Sequence, residues 1–352
     1  MCKMLNSNSI HIGKDSYQIL TKYVNNYNFS SVFVLVDEHT NRFCLPHFSK
    51  QINFNFSPII ISAGEANKTV ETCLDIWEFL SNNGADRKSL LINLGGGVVT
   101  DIGGFAASCF RRGIKFLHIP TTLLGMVDAA IGGKNGVDFK HLKNQIGVVR
   151  QPEMIVYDFS YLETLPLPEI KSGYAEAVKH GLIQSKDYFN ACVGLQQLDS
   201  NTVLKIIEES ISIKLQIVLQ DTNEKGIRKA LNFGHTLGHA IETYRMGFDA
   251  SKHLLHGEAI AIGLVLETFI SKEVFGFPNQ DLERLKSFID TIYTKQFFST
   301  TDQNEIINLM KFDKKNVGTD INFVLLEEIG KPVLDCKVNN SLIYKAFDYY
   351  LT

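Results

Sequence analysis

The chain has 352 residues, 45% of them hydrophobic and 21% charged, with a formal net charge of −3 at pH 7. This is the make-up of a globular protein with apolar content for an ample core, and the length accommodates two domains. A net acidic chain without a basic run of five or more residues gives no reason to expect a nucleic-acid partner, and no apolar run approaches the roughly 18 residues of a membrane span.

Taken in order, residues 1–10 lack the basic-then-apolar layout of a signal peptide, so the expected location is the cytoplasm. The cysteines (Cys2, Cys44, Cys73, Cys109, Cys192 and Cys336) are scattered without a C-x-x-C pair, which reads as reduced, mostly buried thiols. Residues 31–36, 57–61, 89–94 and 116–119 read as buried strands, Asp37 ending the first and Pro120 the last; residues 69–80 have helical spacing. Strands alternating with helices imply a parallel sheet with helices on both faces, whose ligands gather at the carboxyl ends of the strands. Strand patterning is lost around Pro166 and Pro168, which marks a domain boundary. Beyond it, residues 169–184, 201–221, 231–244, 256–275 and 281–291 read as helices, and residues 323–326 as one strand of a small terminal hairpin.

Within this frame, Gly95-Gly96-Gly97-Val98-Val99-Thr100-Asp101 follows a strand and opens a helix, where backbone N–H groups can approach a phosphate. The dinucleotide fingerprint G-x-G-x-x-G is not met, because Thr100 stands where its last glycine belongs; a tight turn is the plainer alternative. Asp37 could accept from an adenosine ribose, or simply cap the next turn. Thr121 and Thr122 close a strand. After Asp128, the run Gly132-Gly133-Lys134-Asn135-Gly136 and the pair Lys143-Asn144 suit backbone amides and point charges around a polyanionic small molecule, with a solvated turn-rich loop as the rival.

The second half carries ionisable residues at helical spacing. Glu176, Lys179 and His180 share a face, and a Glu–Lys pair at this spacing is ordinarily a surface pair. Lys214 falls on the apolar stripe of Ile207, Ile211 and Val218, so it either snorkels to solvent or points into a polar cavity. Arg228 leads into a segment in which Asn232, His235, His239 and Glu242 share one helical face and Phe233, Leu237 and Ile241 the other. By spacing alone His235 and His239 are a pair of zinc ligands, with His256 or a carboxylate as the third.

Together with Glu65, Lys68, Arg111-Arg112-Gly113, His256-Gly257-Glu258 and Asp313-Lys314-Lys315, these motifs and their order resemble the 3-dehydroquinate synthase family of the sugar-phosphate cyclase superfamily. The resemblance implies a homodimer whose subunit has an NAD-binding α/β domain with a parallel sheet, residues 1–166. A mostly helical metal- and substrate-binding domain, residues 167–352, would follow it. It implies a carbon–oxygen lyase of the shikimate pathway that turns 3-deoxy-D-arabino-heptulosonate 7-phosphate into 3-dehydroquinate and phosphate. The route it implies is transient NAD oxidation, phosphate elimination, reduction and intramolecular aldol closure, with one divalent metal, zinc or cobalt.

Carried over by motif, the metal ligands are Glu176, His235 and His256, which overrules the spacing reading and makes His239 a substrate-side residue. Asp37, Glu65, Lys68, Gly96, Gly97, Val98, Asp101, Thr121, Thr122, Lys134 and Lys143 match cofactor positions. Asp128, Lys134, Asn144, Lys179, Lys214, Arg228, Asn232 and His239 match the substrate pocket. Arg112 matches an arginine that reaches the neighbouring subunit's site, and Lys314 or Lys315 supplies a further cation. The chain departs from the family at Gly125-Met126 (commonly Ala-Gln), Asn135 (Thr) and Asp138 (Asn). Sister cyclases of the 2-deoxy-scyllo-inosose or valiolone type, related polyol dehydrogenases and a non-catalytic NAD-binding relative are the competing readings. Gly132-Gly133-Lys134 and Arg228 favour a carboxylate substrate, and an intact Glu176, His235 and His256 argues against lost catalysis.

Overall fold

Short apolar runs separated by glycine, proline and polar turns assemble into one six-stranded sheet. The computed structural model describes residues 9–13, 15–139, 142–195, 197–247, 253–310 and 321–352. The chain divides into two units, Met1–Pro166 and Leu167–Thr352.

The sheet of the first unit is built from β1 (Ile10–Ile12), β2 (Val32–Asp37), β3 (Ser57–Ile61), β4 (Leu90–Gly95) and β5 (Lys115–Pro120). After a hairpin of β6 (Lys134–Phe139) and β7 (Leu142–Val149), β8 (Ile155–Tyr157) completes it. The order is β1-β8-β5-β4-β2-β3 and every pairing in the sheet is parallel. Connections run one way from β2 to β3 and the other way from β4 onward, so the topological switch point lies between β2 and β4, where open α/β sheets bind their ligands. Leu35 is in register with Asn93, which brings the ends of these strands, Asp37 and Gly95, alongside each other.

Phe33, Leu35, Ile59, Leu91, Ile102, Phe105 and Phe116 form the core on one side of the sheet. The helix Gly97–Cys109 lies unusually close to its neighbours. A Cβ on Gly103 would sit 1.9 Å from Asn93 Oδ1, and one on Gly104 would sit 1.8 Å from Asn135 Oδ1. Glycine at these two positions is what lets the helix touch strand and hairpin at once.

The predicted strands and the helix at 69–80 (observed as Val70–Asn82) are present within two residues. β1, β8 and the helix Ser16–Tyr27 went unpredicted; three-residue strands leave no periodic signal. The hairpin corrects the rival reading of the segment around residues 134–144 as a solvated loop. Its strands carry Lys, Asn, Asp and two facing glycines, Gly136 and Gly147, residues depleted from strands.

The second unit is helical, with Leu167–Gln184, Lys186–Val193, Ser200–Gln220, His235–Met246, His256–Phe275, Asn279–Ile292, Thr300–Met310 and Asn340–Leu351. One antiparallel hairpin, β9 (Phe323–Glu328) and β10 (Lys331–Cys336), packs on these helices. The helix His256–Phe275 is apolar almost all round and is the buried axis of the unit. The helix expected over 231–244 starts later. Residues Ile227–Asn232 form a 3₁₀ turn and Gly234 is left-handed (φ 77°), so Asn232 is not on the same α-helical face as His235 and His239. Cys44, Cys73 and Cys192 are buried free thiols, whereas Cys109 is exposed. No helix among the described residues is long and apolar enough to cross a membrane.

The sheet interior holds the imidazole of His118, which is 2% exposed, and Asn93 Nδ2 lies 3.2 Å from its Nδ1. Burial pushes this imidazole down from 6.5 to about 3. Between those values the unfolded chain binds the proton and the folded one does not, so stability falls as pH falls through the window. The slope is up to about 1.4 kcal/mol per pH unit. Urea unfolding of the wild type should therefore lose more stability than His118→Gln between about pH 6.5 and pH 4; parallel pH dependences of the two proteins would contradict it.

Candidate metal and anion site

In the first unit the backbone, more than the side chains, prepares the ground. Gly96 is the N-cap of the helix Gly97–Cys109 and offers no side chain to cap it. The first amides of the helix, Gly97 and Val98, therefore stand at the carboxyl end of β4 with the polarity that suits a phosphate. A Cβ on Gly96 would meet Thr122 Cγ2 at 2.8 Å. Thr121 N donates to Gly95 O at 3.1 Å, tying the strand ends together, and Thr122 Oγ1 accepts from Gly125 N at 3.0 Å. Asp37 acts as a cap: its Oδ1 accepts from Thr40 N at 2.7 Å and completes a capping box at the helix Glu38–Phe43.

Next to this lies a polar network. Lys68 is 4% exposed and its Nζ donates to Asp101 Oδ2 at 2.6 Å and to Asn144 Oδ1 at 2.7 Å. Burial opposes the lysine's charge, but Asp101 and Glu65 outweigh it and raise the pKa above the ordinary value. Burial raises that of Asp101 in spite of Lys68. Lys143 pairs with Glu65 at 3.1 Å. Asn144 is left-handed (φ 51°), and its amide donates to Asp138 Oδ1 at 2.7 Å. Asp138 is thus spent on backbone support. Asn135, another departure from the family pattern, is equally structural: its Nδ2 donates to Gly133 O and Arg150 O, both at 2.8 Å. Asp128 is half-buried in the turn Gly125–Ala129, Lys134 is exposed at the start of β6, and Arg112 is exposed in a left-handed turn (φ 68°).

The second unit concentrates ionisable side chains in its interior. Glu176 is fully buried on the helix Leu167–Gln184. Its Oε1 lies 3.4 Å from His235 Nε2 and 3.5 Å from His256 Nε2. Lys179, 1% exposed, forms an ion pair with Oε2, so the expected surface pair is in fact interior. Burial pushes the Glu176 carboxyl up, yet Lys179 and then His235 hold it well below the usual carboxylate range.

Close backbone approach sets this geometry. Gly257 packs so tightly that a Cβ on it would sit 1.8 Å from Ser172 O, and its amide donates to Ser172 Oγ at 3.0 Å. His256 adjoins that contact and Glu176 lies one turn beyond Ser172.

The tautomers are set from behind. His235 Nδ1 lies 3.0 Å from Phe233 O, a carbonyl that accepts its proton, and His256 Nδ1 lies 3.2 Å from Glu242 Oε2. Each ring thereby turns Nε2 toward Glu176, and that nitrogen is the one that would give its electron pair to a cation on losing its proton. Burial lowers the His256 pKa, but Glu242 and Glu176 raise it more, to about 9. His239 joins the cluster, its ring centroid 5.0 Å from that of His235, and the three histidines bring ligand atoms within 4.8 Å of one another.

Donors about 2.1 Å from a tetrahedral cation lie about 3.4 Å apart, so a buried carboxylate oxygen and two imidazole nitrogens at these separations fit a divalent ion such as zinc or cobalt.

In the same unit Lys214 (6% exposed) and Arg228 (2%) are buried as well, which makes the unit's interior rich in cations. Arg228 Nη1 donates to Thr222 O at 2.8 Å, and Asn232 Nδ2 to Glu224 Oε1 at 3.0 Å. Lys314 and Lys315 lie outside the described residues. Sequence reasoning placed Glu242 on the face of His235 and His239 without naming its partner, and passed over Glu224 and Glu267. Glu242 is one turn from His239, and Glu267 interrupts an apolar helix much as Lys214 does, so both left a signal.

Residues 58–172 match the family model of the 3-dehydroquinate synthase N-terminal domain, and residues 173–316 that of the C-terminal domain. The chain is 40% identical to a 3-dehydroquinate synthase of Parabacteroides distasonis over 98% of both chains. It is 36% identical to one of Acetivibrio thermocellus, over 96% of this chain and 94% of that one. Among solved structures it is similar to 2-epi-5-epi-valiolone synthase of Streptomyces hygroscopicus with NAD+ and Zn2+ bound (TM-score 0.84, 22% identity, 100% and 98% of the two chains). It is also similar to 2-deoxy-scyllo-inosose synthase complexed with carbaglucose-6-phosphate, NAD+ and Co2+ (TM-score 0.81, 24% identity, 97% and 96%). These two likenesses show a shared fold.

Because Asp138 Oδ1 holds the amide of a left-handed residue, Asp138→Ala should cost about 1 kcal/mol of stability, while Asp138→Asn, which keeps the acceptor, should be close to neutral. Urea unfolding of the three proteins reads this directly; an Ala variant as stable as the wild type would mean that the bond does not hold the turn.

Proposed function

The chain belongs to the 3-dehydroquinate synthase family, and from that premise we propose that it converts 3-deoxy-D-arabino-heptulosonate 7-phosphate into 3-dehydroquinate and phosphate. The observation that carries this reading is the fully buried Glu176, with Oε1 3.4 and 3.5 Å from the Nε2 atoms of His235 and His256. A carboxylate is buried ionised only where cations compensate it.

We assign the metal to Glu176, His235 and His256, with His239 on the substrate side. The first unit is assigned as the NAD-binding domain, the helix end at Gly96, Gly97 and Val98 taking the pyrophosphate, and the second as the metal- and substrate-binding domain. When bound, NAD and a divalent cation supply a hydride acceptor and polarisation of the substrate hydroxyls.

The chain's own residues do the rest. Glu242 and the Phe233 carbonyl fix which ring nitrogen of His256 and His235 faces forward. Lys179, Lys214 and Arg228 are buried cations for a substrate that carries a carboxylate and a phosphate, and Asn232, oriented by Glu224, supplies an amide. Lys68 holds Asp101 and Asn144 in place, and Asp138 fixes the backbone of Asn144. Burial of Glu176, Lys179, Lys214 and Arg228 keeps water from these charges, and holding the substrate in one geometry supplies much of the rate where little proton transfer from the protein is needed. A homodimer, with Arg112 reaching the neighbouring subunit, and a cytoplasmic enzyme of aromatic biosynthesis complete the proposal.

Phosphate release from 3-deoxy-D-arabino-heptulosonate 7-phosphate, with NAD and zinc or cobalt, should be seen and should stop on adding a chelator. No release by the metal-replete protein would overturn the reading. His235→Ala should lower kcat by more than the roughly 10–100-fold typical of losing an outer partner of a metal ligand, with the thermal transition retained.

A further inference from the structure

Glu267 is fully buried in the middle of the helix His256–Phe275, amid an apolar run where a charge is costly. Its carboxylate is spent on another helix. Oε2 accepts from Gly234 N at 2.7 Å and Oε1 from Leu237 N at 3.0 Å. Both amides belong to the amino end of His235–Met246, the helix that presents His235 and His239. That end has no cap of its own, because its N-cap residue is Gly234. Nor could another residue replace this glycine: φ is 77°, and a Cβ would meet Leu264 Cδ2 at 2.6 Å. The two helices cross closely here, a Cβ on Gly263 falling 2.0 Å from Gly234 O. Glu267, one turn beyond Gly263, thereby comes within reach.

We propose that Glu267 is a positioning residue for the metal site, capping the His235 helix from a neighbouring helix and setting a full negative charge against its amino end. This rests on the metal reading given above. His235 is the first residue of its helix, so a bound cation would lie near an end carrying about half a positive charge. A carboxylate bonded to two of the amides there cancels that charge and locks the first turn, and with it the His235 ring. The carboxylate thus serves the affinity for the ion without touching it.

The test is metal affinity of the full-length, metal-stripped protein, read by competition with a chromophoric chelator, together with the visible absorption of the cobalt form. Glu267→Gln keeps the volume but loses the charge and one acceptor. It should bind zinc and cobalt about tenfold or more weakly, with an altered cobalt spectrum, at a temperature where it remains folded; Glu267→Ala should be weaker still. A lower Tm with unchanged affinity and spectrum would reduce Glu267 to a structural cap and overturn the inference. So would rapid hydrogen exchange at the Gly234 and Leu237 amides of the wild type, a measurement that needs no variant. A wild type that binds no divalent ion fails the metal reading itself, and a wild type that binds alongside indistinguishable variants fails this inference alone.

Discussion

One ionised carboxylate placed beyond the reach of water orders the second unit. An isolated buried charge costs several kcal/mol, so Glu176 requires compensation on every side. Lys179 provides it from the same helix, and His235 and His256 from two others. A carbonyl and Glu242 engage the two Nδ1 atoms, so each ring turns Nε2 toward the carboxylate, the nitrogen that a divalent cation would take in place of its proton. Donors held apart by ionic distances and not by direct hydrogen bonds are what a small divalent ion needs.

Close contacts without side chains make this convergence possible. Gly257 against Ser172 and Gly263 against Gly234 bring three helices to backbone contact, and their flanking residues carry the ionisable groups inward. Glu267 belongs to the same construction, because it reaches the His235 helix across the second of these contacts. A larger side chain at either position would separate the helices by more than an ion pair can span.

The first unit solves a different problem with different means. Its switch point offers strand ends and a bare helix terminus, so affinity for an anion is built from peptide dipoles. Lys68, Asp101 and Asn144 tie a loop, a helix and a hairpin into one support beside it. Two departures from the family pattern, Asn135 and Asp138, are absorbed into that support: one fills the space left by Gly104 and the other holds a left-handed residue.

Periodicity and composition suffice for the central strands of the parallel sheet and the longer helices of the second half, because burial of one face imposes a repeat that survives in any single sequence. That Glu176, His235 and His256 lie together was legible only through the family resemblance, since spacing along the chain paired His235 with His239. Three things were not legible. The hairpin Lys134–Phe139 with Leu142–Val149 forms from residues with poor strand preference, because contact with the helix Gly97–Cys109 outweighs local tendency. The helix around His235 begins after Asn232 because Gly234 turns left-handed under Leu264, a contact thirty residues distant along the chain. Finally, whether the Glu176–Lys179 pair lies in water or in the core depends on what packs over it, and spacing along one helix carries no information about its neighbours. A sequence records which groups a helix presents; only the fold decides the dielectric in which they meet.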